Sequence, residues 1–331
     1  MDLLVLEADR PPTDVRVAVR TASQHDNWRN ALFLAVDWLL MALAATIHVW
    51  YGGVLLYVVI VILIGSRMRA LANLLHEAAH HKLFASRRVN VLAGRVLCAW
   101  PIFISFDNYV RGHRLHHKNL WRNDDDPDVA LYRLTGTETG SSDRLSYPAF
   151  LLRHVVAVVI PVMPMRRLYD RGRWRYALVG AAVWGVVLAG SWWWWPPLAV
   201  GLALYWLVPW LTAYQTISYW AELGEHGGLR NAGWVWGSRN WRGNLVSRWA
   251  VGSHSDDLYH LLHHWFPAVP HHRLRNLDRL CRETWPRYAA EARCTGFFHA
   301  GDEGTSVLRD IWRGGRGAPP EGVPPGVAAG S

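Results

Sequence analysis

The chain has 331 residues, of which 51% are hydrophobic and only 18% are charged, whereas a soluble domain carries about 25% charged residues. The 21 tryptophans are typical of membrane interfaces. The net charge of +9 is compatible with nucleic acid or an anionic membrane, but long apolar runs favour the membrane, and we expect no nucleic-acid partner. The three cysteines form neither a CxxC motif nor a disulfide framework, which favours a reducing compartment.

The first third of the chain predicts a membrane hairpin. Residues 1–29 are polar, lack a secretory signal and form a predicted cytosolic N-terminal segment. An apolar run from Ala31 to Val49 and a second from Val54 to Leu75 are each long enough to cross a bilayer, which takes about 20 residues. Gly52 and Gly53 join them by so short a turn that the two spans must be antiparallel.

The middle of the chain is less apolar. Residues 89–106 contain Arg95 and Pro101, and we interpret them as an interfacial or partly re-entrant helix. Residues 149–165 are broken by prolines and predict another interfacial helix. The acidic run at 124–126 could contact the arm that carries neighbouring histidines, but a solvated loop is the preferred interpretation.

A second hairpin is predicted from 176–195 and 198–219. Lysine and arginine are absent from 176 to 229, whereas a basic collar at 166–175 precedes the hairpin. The positive-inside rule places the hairpin tips outside and both termini in the cytosol. The predicted fold is therefore an all-α integral membrane protein with four transmembrane helices in two hairpins and a cytosolic helical cap. Residues 30–299 form this membrane domain, and the Gly/Pro-rich residues 300–331 are expected to be a disordered tail.

Histidine clusters are the chemical signal of the sequence. They follow the second and fourth predicted spans or lie between them, so all fall on the predicted cytosolic side. Residues three or four apart on a helix share a face, so each cluster can direct its imidazoles into one cavity. The first cluster contains His76 and His80, the second contains His113, His116 and His117, and the third contains His260, His263 and His264. Together with His226 these are the nine candidate ligands.

Imidazole-rich sites suit iron, zinc, copper or nickel. Nine ligands exceed the four of a tetrahedral zinc site and suit two metals of higher coordination number. Two adjacent irons can activate O2 to attack an unactivated C–H bond, a reaction that the metal centre carries. Candidates for orienting the ligands from outside the coordination sphere are Glu77, Glu225 and Asp257, although Asp257 is equally suited to capping a helix.

These motifs resemble the three histidine boxes of the membrane fatty acid desaturase and hydroxylase superfamily. The similarity rests on His76-Glu-Ala-Ala-His-His, on Arg-Gly-His113-Arg-Leu-His-His-Lys-Asn with the following Asp126-Pro-Asp, and on His260-Leu-Leu-His-His-Trp-Phe-Pro. The stretch 259–274 is similar to the last box of acyl-lipid desaturases, and Glu225-His226-Gly227 resembles a segment of the alkane hydroxylase branch.

The resemblance implies two iron ions, O2 and an external electron donor, either a ferredoxin or a cytochrome with its reductase. By position it assigns the nine histidines as ligands, with His226 the least secure. His81 matches a position that usually does not bind metal, but it is the next candidate for the ninth ligand. His271 and His272 are expected on the cytosolic surface, and the isolated histidines are expected to be structural.

Three activities remain open at this point. Desaturation of a fatty acyl chain or related lipid is preferred, and hydroxylation of a lipid or a small metabolite could use the same centre. His76-Glu77-x-x-His80 also matches the HExxH pattern of zinc proteases, but that activity would leave the second and third clusters without a role.

Overall fold

The computed structural model describes residues 9–122, 125–140, 142, 144–159, 174–242, 254, 258–292, 294–298 and 305–314. The described chain is mostly helical. Its helices are α1 (Thr13–Ala22), α2 (Asn27–Tyr51), α3 (Val54–Ala79), α4 (Arg87–Ala93), α5 (Phe106–Asn119), α6 (Val129–Thr135), α7 (Tyr147–Val159), α8 (Trp174–Trp194), α9 (Pro196–Leu202), α10 (Gln215–His226), α11 (Gly233–Trp236), α12 (His260–Trp265), α13 (Leu274–Thr284), α14 (Pro286–Glu291) and α15 (Val307–Arg313).

Helices α2 and α3 form the first predicted hairpin. They have 25 and 26 residues, so at about 1.5 Å per residue each exceeds the ~30 Å hydrocarbon core of a bilayer. Gly52 and Gly53 have φ values of 65° and 94°, a region that glycine enters without a steric penalty. Since α3 continues to Ala79, it carries His76 beyond the predicted end of the span.

Three helical stretches of the described chain are long and apolar enough to cross a membrane: residues 27–51, 54–79 and 196–236. A fourth candidate is the pair formed by residues 87–102 and 106–119, which are bent by 95° at the break between them. An interfacial or partly re-entrant helix was predicted for 89–106, and the bend is compatible with the re-entrant alternative. The third predicted span coincides with the 21-residue helix α8. The predicted interfacial helix begins as α7, and its part after residue 159 lies outside the described residues, as does the basic collar up to residue 173.

The stretch from 196 to 236 is not a regular α-helix. Two π-helical segments, Ala203–Leu207 and Trp210–Tyr214, separate α9 from α10. The second one packs against α3, where a Cβ atom added to Gly65 would lie only 2.5 Å from the Cβ of Ala213. The glycine therefore allows the two backbones to approach closely, which fixes the position of α10 beside α3.

A small parallel sheet corrects the all-α prediction. Strands β1 (Asn240–Arg242) and β2 (Cys294–Gly296) pair with Asn240 opposite Cys294. The Asn240 side chain accepts a hydrogen bond from the backbone N–H of Leu262 at 3.3 Å, so the sheet supports α12. Strands of three residues are too short to give an alternating hydrophobic pattern in the sequence.

Both predicted terminal segments contribute to the packed structure. Val15 of α1 is fully buried in a cluster with Leu274 and Leu277 of α13. Near the other end, Val307 and Ile311 of α15 are fully buried, although they belong to the segment predicted as a disordered tail. The packed structure thus reaches beyond residue 300, and residues 315–331 lie outside the described residues.

Candidate metal centre

The nine predicted histidines lie in two adjacent groups. Within each group, one ring nitrogen per residue lies within 4.8 Å of the others. The five-histidine group consists of His76, His80, His113, His117 and His263, and the four-histidine group consists of His116, His226, His260 and His264. Each group therefore draws its nitrogens from at least three separate parts of the chain.

Helical spacing explains how two of the clusters are shared between the groups. On α5, His113 and His117 are four residues apart and enter the five-histidine group, whereas His116 points to the four-histidine group. On α12 the assignment is reversed, because His260 and His264 belong to the four-histidine group and His263 to the other. The expectation that each cluster would fill one cavity was therefore too simple, since each HxxHH motif bridges both groups.

The converging atoms are the Nε2 nitrogens. In the five-histidine group they are separated by 2.7 Å between His80 and His113, 3.0 Å between His113 and His117, and 3.1 Å between His117 and His263. The Nε2 of His76 is buried and has no hydrogen-bond partner among the described residues. A neutral imidazole has only one N–H, so such a ring of nitrogens cannot be satisfied by mutual hydrogen bonds and fits a metal ion.

In the four-histidine group, the ring of His226 lies between those of His116 and His260. Its Nε2 is 3.2 Å from that of His116 and 2.9 Å from that of His260. Helix α10 ends at His226, and Gly228 follows with a φ of 77°. Glycine permits this sharp change of direction, as expected from the sequence.

Burial keeps the described ligands outside the candidate spans neutral. Burial, followed by the charges of Arg114, His81 and Lys82, lowers the pKa of His80 to about 4. Burial and then repulsion by neighbouring histidines lower the pKa values of His263 and His264 well below the usual range. A neutral imidazole offers the nitrogen lone pair that a metal requires.

Outer hydrogen bonds orient two rings of the four-histidine group. The Nδ1–H of His116 donates to Asp126 at 2.9 Å and lies 3.2 Å from a carboxylate oxygen of Asp128. The Nδ1 of His226 lies 3.0 Å from the carbonyl oxygen of Gly237. Since these acceptors hold the proton on Nδ1, the Nε2 lone pairs point into the group, an arrangement typical of metal-binding histidines.

The acidic run after the second cluster is thus not simply a solvated loop. Asp126 is only 3% exposed and also accepts a hydrogen bond from the backbone N–H of Trp121 at 3.1 Å. The Asp126-Pro127-Asp128 sequence, nine residues after His117, was the available signal for this role. Asp124 lies outside the described residues.

Two of the three carboxylates that were predicted to orient the ligands lie among the described residues. Glu225 lies beside the centre, where one oxygen is 3.7 Å from the Nε2 of His260 and the other is 3.2 Å from Arg69. Glu77 is buried on α3, close enough to Lys82 for charge attraction. Asp257 lies outside the described residues.

Histidines outside the two groups have other partners. His81 belongs to neither group of the described residues and has a φ of 58°. His254 lies 2.6 Å from Asp37. His271 is buried, 3.1 Å from Asn30, and the side chain of His272 is also buried. The surface location predicted for His271 and His272 was wrong, because the segment after α12 packs against the start of α2.

Sequence reasoning missed two further residues at the centre. The ring of Tyr109 stacks on that of His113, with centroids 5.6 Å apart and planes 7° apart. Arg69 forms the ion pair with Glu225 described above. A charged residue within an apolar run was the available signal for Arg69, and no comparable signal existed for Tyr109.

Apolar helices of spanning length and convergent histidines define the class of the protein as a membrane protein with a histidine-rich candidate metal centre. The model of the family described as fatty acid desaturase matches residues 49–296. The chain belongs to this family, as its histidine motifs predicted, and it is a desaturase-type membrane oxidoreductase.

Relatives within the family differ in their substrates. The chain is 28% identical to a dihydrorhizobitoxine desaturase from Bradyrhizobium elkanii, over 86% of this chain and 85% of the relative. It is 25% identical to an endoplasmic reticulum omega-3 fatty acid desaturase from Vigna radiata var. radiata, over 70% and 66% of the two chains. It is also 23% identical to a chloroplastic sn-2 acyl-lipid omega-3 desaturase (ferredoxin) from Helianthus annuus, over 87% and 70%.

Proposed function

We propose that the nine histidines hold two iron ions, one in each group, and that the protein uses O2 to desaturate an acyl chain or a related lipid. The observation that carries this proposal is the convergence of the Nε2 atoms in two adjacent groups. Bound iron would supply the activation of O2 that an unactivated C–H bond requires. The protein itself orients the imidazoles and encloses the centre with buried side chains.

Electron balance requires a partner. Reduction of O2 to two water molecules takes four electrons and four protons. Removal of two hydrogens from adjacent carbons supplies two of each, so an external donor must supply the other two electrons, with two protons from solvent. The donor would be a ferredoxin or a cytochrome with its reductase, and a ferredoxin appears in the name of the Helianthus annuus relative.

The proposed topology has four spans, with both termini and the metal centre on the cytosolic side. The absence of lysine and arginine from 176 to 229 supports this orientation through the positive-inside rule. The grouped histidines lie towards the ends of α3, α5 and α10, which is consistent with a centre at one membrane surface.

Hydroxylation is the second candidate, because the Glu225-His226-Gly227 segment supplies a residue of the four-histidine group. It would use the same centre but transfer one oxygen atom to the substrate. The proposal of desaturation rests on the family and on relatives that are named desaturases.

The test is to express the protein with a compatible donor and to compare lipid and metabolite mass spectra with those of a His263→Ala control. Desaturation predicts products lighter by two mass units, and hydroxylation predicts products heavier by sixteen. A protein that contains one zinc and forms neither product would favour the HExxH protease and contradict the proposal.

A further inference from the structure

One face of α3 keeps accessible surface beside the histidine groups. Arg69, Asn73, His76 and His80 are spaced by four, three and four residues and all retain accessible surface, whereas every residue between them is buried. This spacing places the four side chains on a single stripe of the helix. The accessible surface therefore continues from Arg69 along α3 to two members of the five-histidine group.

Helix α10 supplies charged residues to the same region. Glu222 and Glu225 are three residues apart on α10 and both keep partial exposure. The side chain of Glu225 is 20% exposed and that of Arg69 is 12% exposed, and they pair at 3.2 Å. The second oxygen of Glu225 is 3.7 Å from the Nε2 of His260, so only one carboxylate separates Arg69 from the four-histidine group.

Such a lining is unfavourable for a plain alkyl chain. Desolvation of an ion pair costs free energy that the pairing only partly offsets, and charged residues within candidate spans usually mark a functional site. The Nε–H of Arg69 is buried without a hydrogen-bond partner among the described residues. A buried donor without a partner is energetically unfavourable, so this N–H can still donate to a ligand.

We propose that Arg69, positioned by Glu225, binds the polar end of the substrate, which makes the substrate an acyl compound that reacts close to its carboxylate or carbonyl group. Arg69 donates to the substrate oxygen, since a guanidinium matches a carboxylate in geometry and charge. Glu225 holds Arg69 in place. Because Glu225 also lies next to His260, the substrate oxygen held by Arg69 would lie near the four-histidine group. Only a few bonds of the substrate would then separate this oxygen from the carbons that react. This inference rests on the proposed function.

Binding can be tested separately from turnover with the purified iron-loaded protein. Hexanoate should raise the melting temperature in a saturable manner, whereas 1-hexanol, which has the same chain without the charge, should not. Arg69→Met should weaken hexanoate binding at least tenfold. The matched control is Arg95→Met, which removes an exposed ion pair with Asp107 and should leave binding unchanged. Equal hexanoate affinity in the wild type and Arg69→Met would overturn the proposal.

A conservative variant covers the case in which Arg69→Met fails to fold. Arg69→Lys keeps the charge but loses the forked donor geometry. This variant should retain iron and bind hexanoate more weakly than the wild type but more tightly than Arg69→Met. Wild-type affinity for hexanoate in Arg69→Lys would contradict a role for the guanidinium.

Product analysis provides a second test of the proposed binding site. The wild type should introduce the double bond within the first few carbons from the carbonyl group of a short acyl substrate, and Arg69→Met should raise KM for it at least tenfold. Desaturation in the middle of a long acyl chain with an unchanged KM in Arg69→Met would refute the inference while supporting the proposed function. Arg69-dependent binding of hexanoate without any oxidised product would support the binding site and refute the proposed reaction.

Discussion

Asp126→Asn tests whether an outer carboxylate sets the affinity of the four-histidine group. In the wild type, Asp126 accepts hydrogen bonds from the Nδ1–H of His116 at 2.9 Å, from the backbone N–H of Trp121 at 3.1 Å and from that of Asp128 at 3.0 Å. Its two oxygens share these three donors. An asparagine has only one acceptor oxygen, so at least one buried donor must face the new NH2 group.

The expected magnitude follows from these contacts. The least unfavourable orientation keeps the bond to His116 and leaves the N–H of Trp121 unsatisfied, at a cost of about 1–3 kcal/mol in stability. The remaining hydrogen bond to His116 is no longer charge-assisted. Changes to residues that hydrogen-bond to a metal ligand typically weaken metal binding by about 10- to 100-fold. We therefore expect iron retention to fall by that factor, or about 1.4–2.7 kcal/mol, while the protein remains folded.

The assay is competition for iron between the detergent-purified protein and a chelator at fixed pH. Asp107→Asn is the matched control, because the side chain of Asp107 is 67% exposed and pairs with Arg95. It should retain iron like the wild type. Iron retention within twofold of the wild type in Asp126→Asn would refute the argument that this carboxylate orients a ligand.

Three further predictions concern the ninth ligand, the helix packing and the topology. His226→Ala should lower the iron occupancy of the four-histidine group, or turnover, at least tenfold, whereas His25→Ala, which removes an exposed contact to the carbonyl oxygen of His81, should not. Wild-type iron content and turnover in His226→Ala would exclude His226 as a ligand. Gly65→Ala should lower thermal stability by about 1–3 kcal/mol, because its Cβ would meet Ala213 at 2.5 Å, whereas Gly185→Ala meets nothing within 4 Å; equal melting temperatures would refute the close packing. A Cys294→Ser background should label poorly with a maleimide, since Cys98 and Cys281 are buried and burial, followed by the charge of Asp278, raises the pKa of the Cys281 thiol to about 12. In that background, Tyr51→Cys and Trp193→Cys should react from outside the cell and Ser86→Cys should not, and outside labelling of Ser86→Cys would contradict the proposed orientation.

The sequence predicted the first hairpin because long apolar runs and a Gly-Gly turn are local signals. It also identified the histidines, since metal ligands on helices recur at spacings of three and four. It could not predict how the histidines of each cluster are distributed between the two groups. His116 and His117 are adjacent in sequence but enter different groups, because that division depends on how α3, α5, α10 and α12 pack against one another.

The residues missed by sequence reasoning depend on tertiary contacts. Asp126 was interpreted as solvated because acidic runs usually face water, but the chain after α5 folds back and buries it beneath His116. His271 was expected at the surface because it lies beyond the third histidine cluster, whereas it contacts Asn30, which is 241 positions away. Such pairs of distant polar residues have no periodic signature, so a single sequence does not identify them.

The most direct test of the two-group centre is the iron content of three purified proteins. The wild type should contain about two irons per chain. His80→Ala, which alters only the five-histidine group, and His264→Ala, which alters only the four-histidine group, should each retain about one, since loss of one ligand weakens one site and leaves the other intact. A wild type that holds a single metal ion, or variants that both keep two irons, would contradict the assignment of these nine histidines to a two-metal centre.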